Sequence, residues 1–141
     1  MSDSKIIFKE GYISQEEVFS FVESMGGHIM RFGSPSSSQG VIERNDALVW
    51  IYYNDVLDVD FFQYELYIMK KKFNMLPTIT IGIGLSSTNT KSPQLAFEFC
   101  LSFMNRYRDT VADDAYTHFY NYDELAKMEC REDGFWYPKN S

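Results

Sequence analysis

The sequence predicts a single α+β domain in which two or three helices pack on a mostly antiparallel sheet. Its 141 residues match the size of one domain, and 45% of them are hydrophobic, which is enough for one sizeable core. Segments with strand-like composition alternate along the chain with segments whose apolar residues recur at helical spacing. We therefore expect residues 1–141 to form one domain, with flexible ends at residues 1–4 and 138–141.

The bounds of the predicted elements follow from hydrophobic periodicity, capping residues and helix breakers. Strands are predicted over residues 5–9, 28–32, 41–44, 47–53, 78–85, 111–112 and 117–120, and helices over residues 14–25, 60–73, 92–107 and 122–128. Polar loops are expected at residues 33–40 and 86–91, and turns at Asn45-Asp46 and Asp113-Asp114. The sequence has no internal repeat.

Two of these helices have clear start signals. Ser14 is placed to cap the first helix, whose opening turn contains Glu16 and Glu17, as the helix dipole favours. Ser92 is predicted to cap the third helix, with Pro93 at its first helical position. Each helix has apolar residues spaced by three and four on one side, and we expect that side to pack on the sheet.

Two strands have compositions that constrain their surroundings. Residues 48–53 are almost all apolar, so we expect a central strand that is covered on both faces. In the strand over residues 78–85, Gly82 and Gly84 lie on the same side. Because a glycine within a strand often permits a close approach, we expect another element to lie close above these glycines.

The charge distribution restricts the class of partner. The chain has a net charge of −7; residues 1–108 contain 12 acids and 10 bases, whereas residues 109–141 contain 8 acids and 3 bases. An acidic surface repels nucleic acids and anionic membranes, and it attracts cationic proteins or metal ions. We therefore expect a basic protein partner and no binding of nucleic acid or membrane.

The sequence indicates a cytoplasmic protein. The N-terminus has no basic region followed by an apolar stretch, and no apolar run approaches the roughly 18 residues that a membrane span needs. Cys100 lies in a helical pattern beside Phe99 and Phe103, so we expect it to be a buried free thiol. Cys130 lies in a charged segment, where we expect a partly exposed thiol.

No pattern in the sequence indicates catalysis, a metal or a cofactor. The glycines of Gly82-Ile83-Gly84 suggest phosphate binding, but Thr90 and Ser87 stand where a Walker loop or a dinucleotide fingerprint needs a further glycine. His28 and His118 lie among strand-like residues without a nucleophile pattern. The cysteines and the acid pairs lack the spacings of zinc and calcium sites. We predict that the protein is not an enzyme.

The most distinctive feature is a mixture of acidic and aromatic residues in the last third of the chain. Tyrosine and tryptophan dominate binding hot spots, and charge of one sign speeds the capture of an oppositely charged partner. The predicted partner-binding residues are Asp113, Asp114, Tyr120, Tyr122, Asp123, Glu124, Glu129, Glu132, Asp133 and Trp136, and the same set includes Tyr116, Phe135 and Tyr137. In the alternative interpretation, the rings belong to the core and the acids only keep the protein soluble.

The order of segments from about Asp46 to Ala126 resembles that of immunity proteins of bacterial contact-dependent or polymorphic toxin systems. The segments that carry the resemblance are the aromatic strand 49–53, the strand 77–85, the long helix from Ser92, and the segments 111–114 and 122–125. The resemblance implies a cytoplasmic, non-catalytic inhibitor that occludes the active site of a cognate toxin, often a basic nuclease. The acidic surface would then substitute for nucleic-acid phosphates. The resemblance transfers no binding residue to this chain.

Two other classes of function are compatible with the sequence. A ligand-binding protein or small enzyme would have a pocket between the sheet and the Ser92 helix, with His28 or His118 entering it. A self-associating adaptor subunit would use the aromatic C-terminal segment to form dimers. We expect a monomer, although the sequence does not determine the oligomeric state.

Overall fold

The computed structural model describes residues 5–55, 63–86, 91–115 and 118–139. Within these residues the chain has an α+β fold, which confirms the predicted fold class. The strands are β1 (Lys5–Lys9), β2 (His28–Met30), β3 (Gln39–Arg44), β4 (Ala47–Asp55), β5 (Ile79–Leu85), β6 (Thr110–Asp113), β7 (Phe119–Tyr120), β8 (Met128–Cys130) and β9 (Trp136–Pro138), and the helices are α1 (Gln15–Ser24), α2 (Gln63–Phe73), α3 (Ser92–Arg106) and α4 (Tyr122–Leu125). None of the described helices is long and apolar enough to cross a membrane.

Seven strands form one antiparallel sheet in the order β2-β3-β4-β5-β1-β6-β7. Strand β1 is inserted between β5 and β6, so that Ile7 pairs with Ile81 on one side and with Ala112 on the other. Strands β8 and β9 form a separate two-stranded hairpin. Because β1 is the first strand in the sequence, the centre of the sheet is built from pairings between distant parts of the chain.

Each face of the large sheet has its own apolar cluster. Ile7 and Phe8 are consecutive in β1, so their side chains point to opposite faces. Ile7 belongs to the larger cluster, together with residues of α1 and α3. Phe8 belongs to the smaller cluster, together with Met69 of α2. Helices α1 and α3 therefore cover one face of the sheet, and α2 covers part of the other.

The two predicted helix caps have different outcomes. The Ser14 hydroxyl accepts a hydrogen bond from the backbone N–H of Glu17 at 3.1 Å, as predicted. Ser92 does not cap α3, because the helix begins at Ser92 itself. Its buried hydroxyl accepts a hydrogen bond from the N–H of Leu48 at 2.9 Å. Ser92 therefore attaches the start of α3 to β4.

The hairpin of β3 and β4 turns at Asn45-Asp46, as predicted. Both turn residues have positive φ, 53° and 72°, which a type I′ turn requires. Strand β4 is an interior strand that pairs with β3 and β5. Its two faces are covered unequally: Val49 and Ile51 are buried, whereas Leu48 and Trp50 on the other side are only partly buried.

Gly82 of β5 does not mark a close neighbour within the described residues. Among the described residues, a Cβ placed on Gly82 would meet only Tyr52, at an ordinary contact distance of 3.8 Å. The close approach occurs instead at Gly27, where a Cβ would lie 2.6 Å from the carbonyl oxygen of Val41. Glycine is therefore required where α1 turns into β2, a position at which the sequence predicts only the end of a helix.

The predicted bounds are least accurate in the C-terminal segment. Strand β6 continues through Asp113, so the predicted turn at Asp113-Asp114 begins one residue later. The helix predicted over residues 122–128 ends at Leu125, and the following residues form the hairpin of β8 and β9. The N–H of Lys139 donates to the carbonyl of Lys127 at 3.0 Å, so the chain is still attached at a position predicted to be flexible.

Other differences are small. Strand β2 ends at Met30, and the predicted loop over residues 33–40 contains a 3₁₀ turn at Pro35–Ser37 and the start of β3. Several predicted features lie outside the described residues: the flexible positions 1–4, 140 and 141, the start of the second helix at residues 60–62, most of the loop over residues 86–91, and Tyr116 with Thr117.

Phe103 tests the assignment of α3 to the core. Its side chain is fully buried, and its ring centroid lies 5.2 Å from that of Phe21. We predict that Phe103→Ala lowers the free energy of unfolding by about 3–5 kcal/mol, measured by urea denaturation. The control Phe135→Ala, at a side chain that is 40% exposed, should lower it by less than about 1 kcal/mol. Equal losses would contradict this assignment.

Candidate functional site

The C-terminal hairpin of β8 and β9 has one side packed on α3 and one side exposed. On the packed side, Trp136 is 6% exposed, and its ring lies edge-on to Phe97 with centroids 5.5 Å apart. Cys130 pairs with Trp136 across the hairpin. On the other side, Glu129 pairs with Tyr137. The alternation of side chains along the strands therefore separates a buried anchor from a solvent-facing surface.

Five residues form a group of contacting side chains on the exposed side, which we call the hairpin surface: Glu129, Arg131, Asp133, Phe135 and Tyr137. The Tyr137 hydroxyl donates to Oδ2 of Asp133 at 2.6 Å, and Nε of Arg131 donates to Oε2 of Glu129 at 3.1 Å. The Arg131 guanidinium lies 4.3 Å from the centroid of the Tyr137 ring. The Phe135 and Tyr137 rings are 6.5 Å apart. These contacts hold two aromatic rings and two carboxylates in place at the surface.

Hydrogen bonding also fixes the charge of the hairpin surface. The bond from Tyr137 lowers the pKa of Asp133, and the N–H of Phe135 lowers it further by donating to Oδ1 at 2.9 Å. The same tyrosine bond raises the pKa of the Tyr137 phenol. Asp133 is therefore an ionised and oriented carboxylate at neutral pH.

The predicted binding residues on α4 are already paired with bases. Arg108 lies 3.9 Å from Oδ1 of Asp123, and its guanidinium lies 3.9 Å from the centroid of the Tyr122 ring. Lys72 lies 3.4 Å from Oε2 of Glu124, which also caps the start of α4. The acids of α4 are therefore largely neutralised, and they contribute little to a negative field.

Three of the predicted binding residues lie inside the fold. Asp113, Asp114 and Trp136 are 7%, 4% and 6% exposed, so the expectation that they lie on an exposed surface is wrong. Asp113 is covered because it continues β6, where it pairs with Ile6 and Phe119 on its two sides. Trp136 is covered because it anchors the hairpin on α3.

Tyr120 is also turned towards the interior. Its side chain is half-buried, and its ring centroid lies 5.7 Å from that of Trp136. Burial raises the pKa of its phenol. The structure therefore brings Glu129 and Asp133 together on the exposed side of one hairpin and places the exposed Glu132 at its tip, at the edge of the cleft described below. The rest of the predicted set lies on α4 or in the interior.

Buried charges that the sequence did not reveal lie behind the hairpin. Lys5 is 1% exposed; its ammonium donates to the carbonyl oxygen of Asp114 at 2.9 Å and lies 5.5 Å from the centroid of the Trp136 ring. Glu65 of α2 is 6% exposed. Burial raises the pKa of Asp113, and the nearby carboxylates of Asp114 and Glu65 raise it further. We assign this cluster to the fold, because its members are closed off from solvent.

A cleft of about 750 Å³ lies beside the hairpin, between the turn of β3 and β4, the first half of α3, and β8. The lining residues are Arg44, Asn45, Ala47, Lys91, Gln94, Leu95, Glu98, Cys130, Arg131 and Glu132. The sequence suggests a pocket beside the Ser92 helix only as an alternative and does not identify these lining residues, because the walls come from three distant segments. The cleft lies next to the Ser92 helix, where the ligand-binding alternative places a pocket, but neither His28 nor His118 lines it.

Both cysteines are free thiols. Cys100 is a buried free thiol and Cys130 a half-buried one, as predicted. Burial raises the pKa of Cys100 to about 12 and that of Cys130 to about 11. Within the described ranges, no group of three or more His, Cys, Asp or Glu residues is placed to hold a metal ion.

Comparison with known proteins identifies no relative. No family model, no curated protein and no solved structure matches the chain. Its function is therefore inferred from geometry and charge.

Asp113 tests the buried charge cluster. Burial raises the pKa of Asp113 in the folded protein, so folding disfavours the ionised carboxylate. Above the folded-state pKa, ionised Asp113 therefore lowers the free energy of unfolding. This destabilisation disappears as the pH falls and the carboxylate becomes protonated. Asp113→Asn keeps an oxygen for the N–H of Ala115, which Oδ1 accepts at 2.8 Å. We predict that this variant is more stable than the parent in urea at pH 7 and that its advantage shrinks as the pH approaches 4. The control Asp123→Asn should show no such pattern, and an advantage of Asp113→Asn that does not depend on pH would contradict the prediction.

Cys130 tests the environment of the cleft. Because its pKa is raised from 9.0 to about 11, its thiolate fraction at pH 8 falls about 100-fold relative to an ordinary thiol. We predict correspondingly slow labelling of Cys130 by dithionitrobenzoate, and labelling of Cys100 only after unfolding. Peptide mass spectrometry distinguishes the two sites. Labelling of native Cys130 at the rate of a free thiol would show that the residue is not held as described.

Proposed function

We propose that this chain is a cytoplasmic inhibitor protein of the immunity type, which binds a basic protein partner such as the nuclease domain of a toxin and has no catalytic activity of its own. The observation that best supports this proposal is the hairpin surface. There the Tyr137 hydroxyl donates to Asp133 at 2.6 Å and Arg131 donates to Glu129 at 3.1 Å, on the side of the hairpin that faces away from the core.

Such a surface suits a partner of opposite charge. Tyr137 and Phe135 offer contact area with few rotatable bonds, and their order before binding reduces the entropy lost on association. Among the described residues, Glu132 at the hairpin tip forms no ion pair, so its charge is available to a cationic partner. Asp133 beside it is ionised and held by Tyr137 and the N–H of Phe135, with Arg131 nearby. The net charge of −7 adds long-range attraction and faster encounter.

The resemblance in segment order to immunity proteins supports an inhibitory role over a general adaptor role. In that role the carboxylates of Asp133 and the neighbouring Glu132 would occupy the positions that nucleic-acid phosphates take in a nuclease, while the rings would exclude water from the contact. Glu129 is paired with Arg131 and has only a supporting part. The acids of α4 and the buried Asp113 and Asp114 have no direct part in this proposal, because they are paired or enclosed.

Affinity capture of the tagged protein from its own cells, followed by mass spectrometry, tests the proposal. We predict one stoichiometric basic protein. The variant Glu132→Lys with Asp133→Lys should weaken its binding at least about 10-fold, which corresponds to about 1.4 kcal/mol. The matched control Glu23→Lys with Glu43→Lys makes the same change of charge at exposed positions of α1 and β3 and should bind within a few-fold of the parent.

Two results would contradict the proposal. One is the absence of any basic partner although circular dichroism shows the bait to be folded. The other is an equal loss of binding in both charge-reversal variants, which would indicate a response to net charge and not to the hairpin surface. A dimer found by size-exclusion chromatography, together with the first result, would favour the self-associating adaptor.

A further inference from the structure

The two edges of the large sheet differ in whether their outward backbone groups have partners. Strand β7 forms one edge, where the Lys72 ammonium donates to the carbonyl oxygen of Phe119 at 2.8 Å. Helix α4 follows β7 directly. Strand β2 forms the other edge, and no described residue bonds to its outward backbone groups. An unpaired edge of this kind is a template for a further strand.

The hairpin of β3 and β4 determines which backbone groups of β2 face outward. Its two-residue turn makes Arg44 and Ala47 a hydrogen-bonded pair. Because bonding alternates along a strand, every second residue of β3 bonds to β4, and the residues between them, including Val41, bond to β2. Val41 pairs with His28. His28 therefore bonds to β3, whereas the N–H and C=O of the next residue, Ile29, point away from the sheet.

The side chains of β2 leave this edge accessible. Ile29 packs against the larger apolar cluster, so its neighbours His28 and Met30 project from the opposite face of the sheet. Met30 is 38% exposed, and Phe32, two residues farther along the chain, is 48% exposed. A strand paired with β2 would satisfy the backbone of Ile29 and would also remove part of this apolar surface from water.

Charge and symmetry identify this strand as β2 of a second copy. The one ionised side chain in residues 28–42 is Arg31, which is paired with Glu16 at 2.8 Å, so this segment offers a basic partner no carboxylate. Two copies of β2 are complementary to each other. In an antiparallel pair centred on Ile29, each copy donates one hydrogen bond and accepts the other, and His28 of each copy faces Met30 of the other.

The distribution of charge permits this pairing although each copy has a net charge of −7. Most of the acidic excess lies in residues 109–141, which contain β6, β7, α4 and the C-terminal hairpin. Strands β2 and β7 lie six strand spacings apart, which is about 29 Å. Because this is several times the screening length of about 8 Å at physiological salt, the acidic ends of two copies repel each other only weakly.

We propose that β2 pairs with β2 of a second copy across a two-fold axis at Ile29, which joins the two large sheets into one continuous sheet. This dimer differs from the monomer expected from the sequence, and it does not depend on the proposed function. Trp136 contacts Lys5 of β1 and Tyr120 of β7, so each C-terminal hairpin lies away from the axis. The hairpin surface of each copy therefore stays accessible in the dimer.

Sedimentation velocity of the full chain over a concentration series tests the proposal, and we expect an equilibrium between monomer and dimer. Met30→Lys places two ammonium groups diagonally across the paired strands, about 8 Å apart. It should weaken dimerisation at least about 10-fold. The matched control Leu76→Lys, at a side chain that is 64% exposed, should leave dimerisation unchanged. Circular dichroism of both variants verifies that they are folded.

Exchange of individual backbone amides, measured by NMR, gives a second readout that is specific to β2. The Ile29 amide should exchange more slowly as the concentration of the chain rises. The His28 amide, which already bonds to β3, should change far less. A chain that stays monomeric at every concentration would overturn the proposal. A dimer that persists in Met30→Lys, or one that protects residues 128–137 and leaves the Ile29 amide unprotected, would also overturn it.

Discussion

Strand β1 joins two parts of the sheet, β2–β5 and β6–β7, which share no other strand pairing among the described residues. Both of its terminal lysines are buried: Lys5 donates to the carbonyl oxygen of Asp114, and Lys9 forms an ion pair with Asp109 at 2.8 Å. A buried ammonium group destabilises the fold unless its donors are satisfied, so these bonds fix the residues before and after β6. Lys5 also contacts the ring of Trp136, so the first strand of the sheet packs directly against the C-terminal hairpin.

In this arrangement the carboxylates of the C-terminal segment that can meet a partner lie on the hairpin of β8 and β9. The two acids of α4, Asp123 and Glu124, are paired with Arg108 and Lys72, which come from earlier parts of the chain. The carboxylates that remain available lie at the tip and on the outer side of the hairpin. Because the packed side of the hairpin is anchored through Trp136, the outer side can be ordered before a partner arrives.

Local signals in the sequence were sufficient for the fold class, the turn at Asn45-Asp46 and the core position of Cys100, because periodicity and turn chemistry act over a few residues. They were insufficient for Asp113 and Trp136. Asp113 is buried because it pairs with Ile6 of β1, more than a hundred residues earlier in the chain. Trp136 is buried because it packs on Phe97 of α3. The sequence did not predict the residues that line the cleft, since this depends on Arg44 and Arg131 approaching the same helix in the folded chain.

Hydrogen exchange of the chain, alone and in complex with its captured partner, is the most direct test of the central claim that the C-terminal hairpin binds that partner. The account predicts new protection of backbone amides in residues 128–137. Protection confined to α2 or to the β2 edge of the sheet, with the hairpin exchanging as in the free chain, would contradict it.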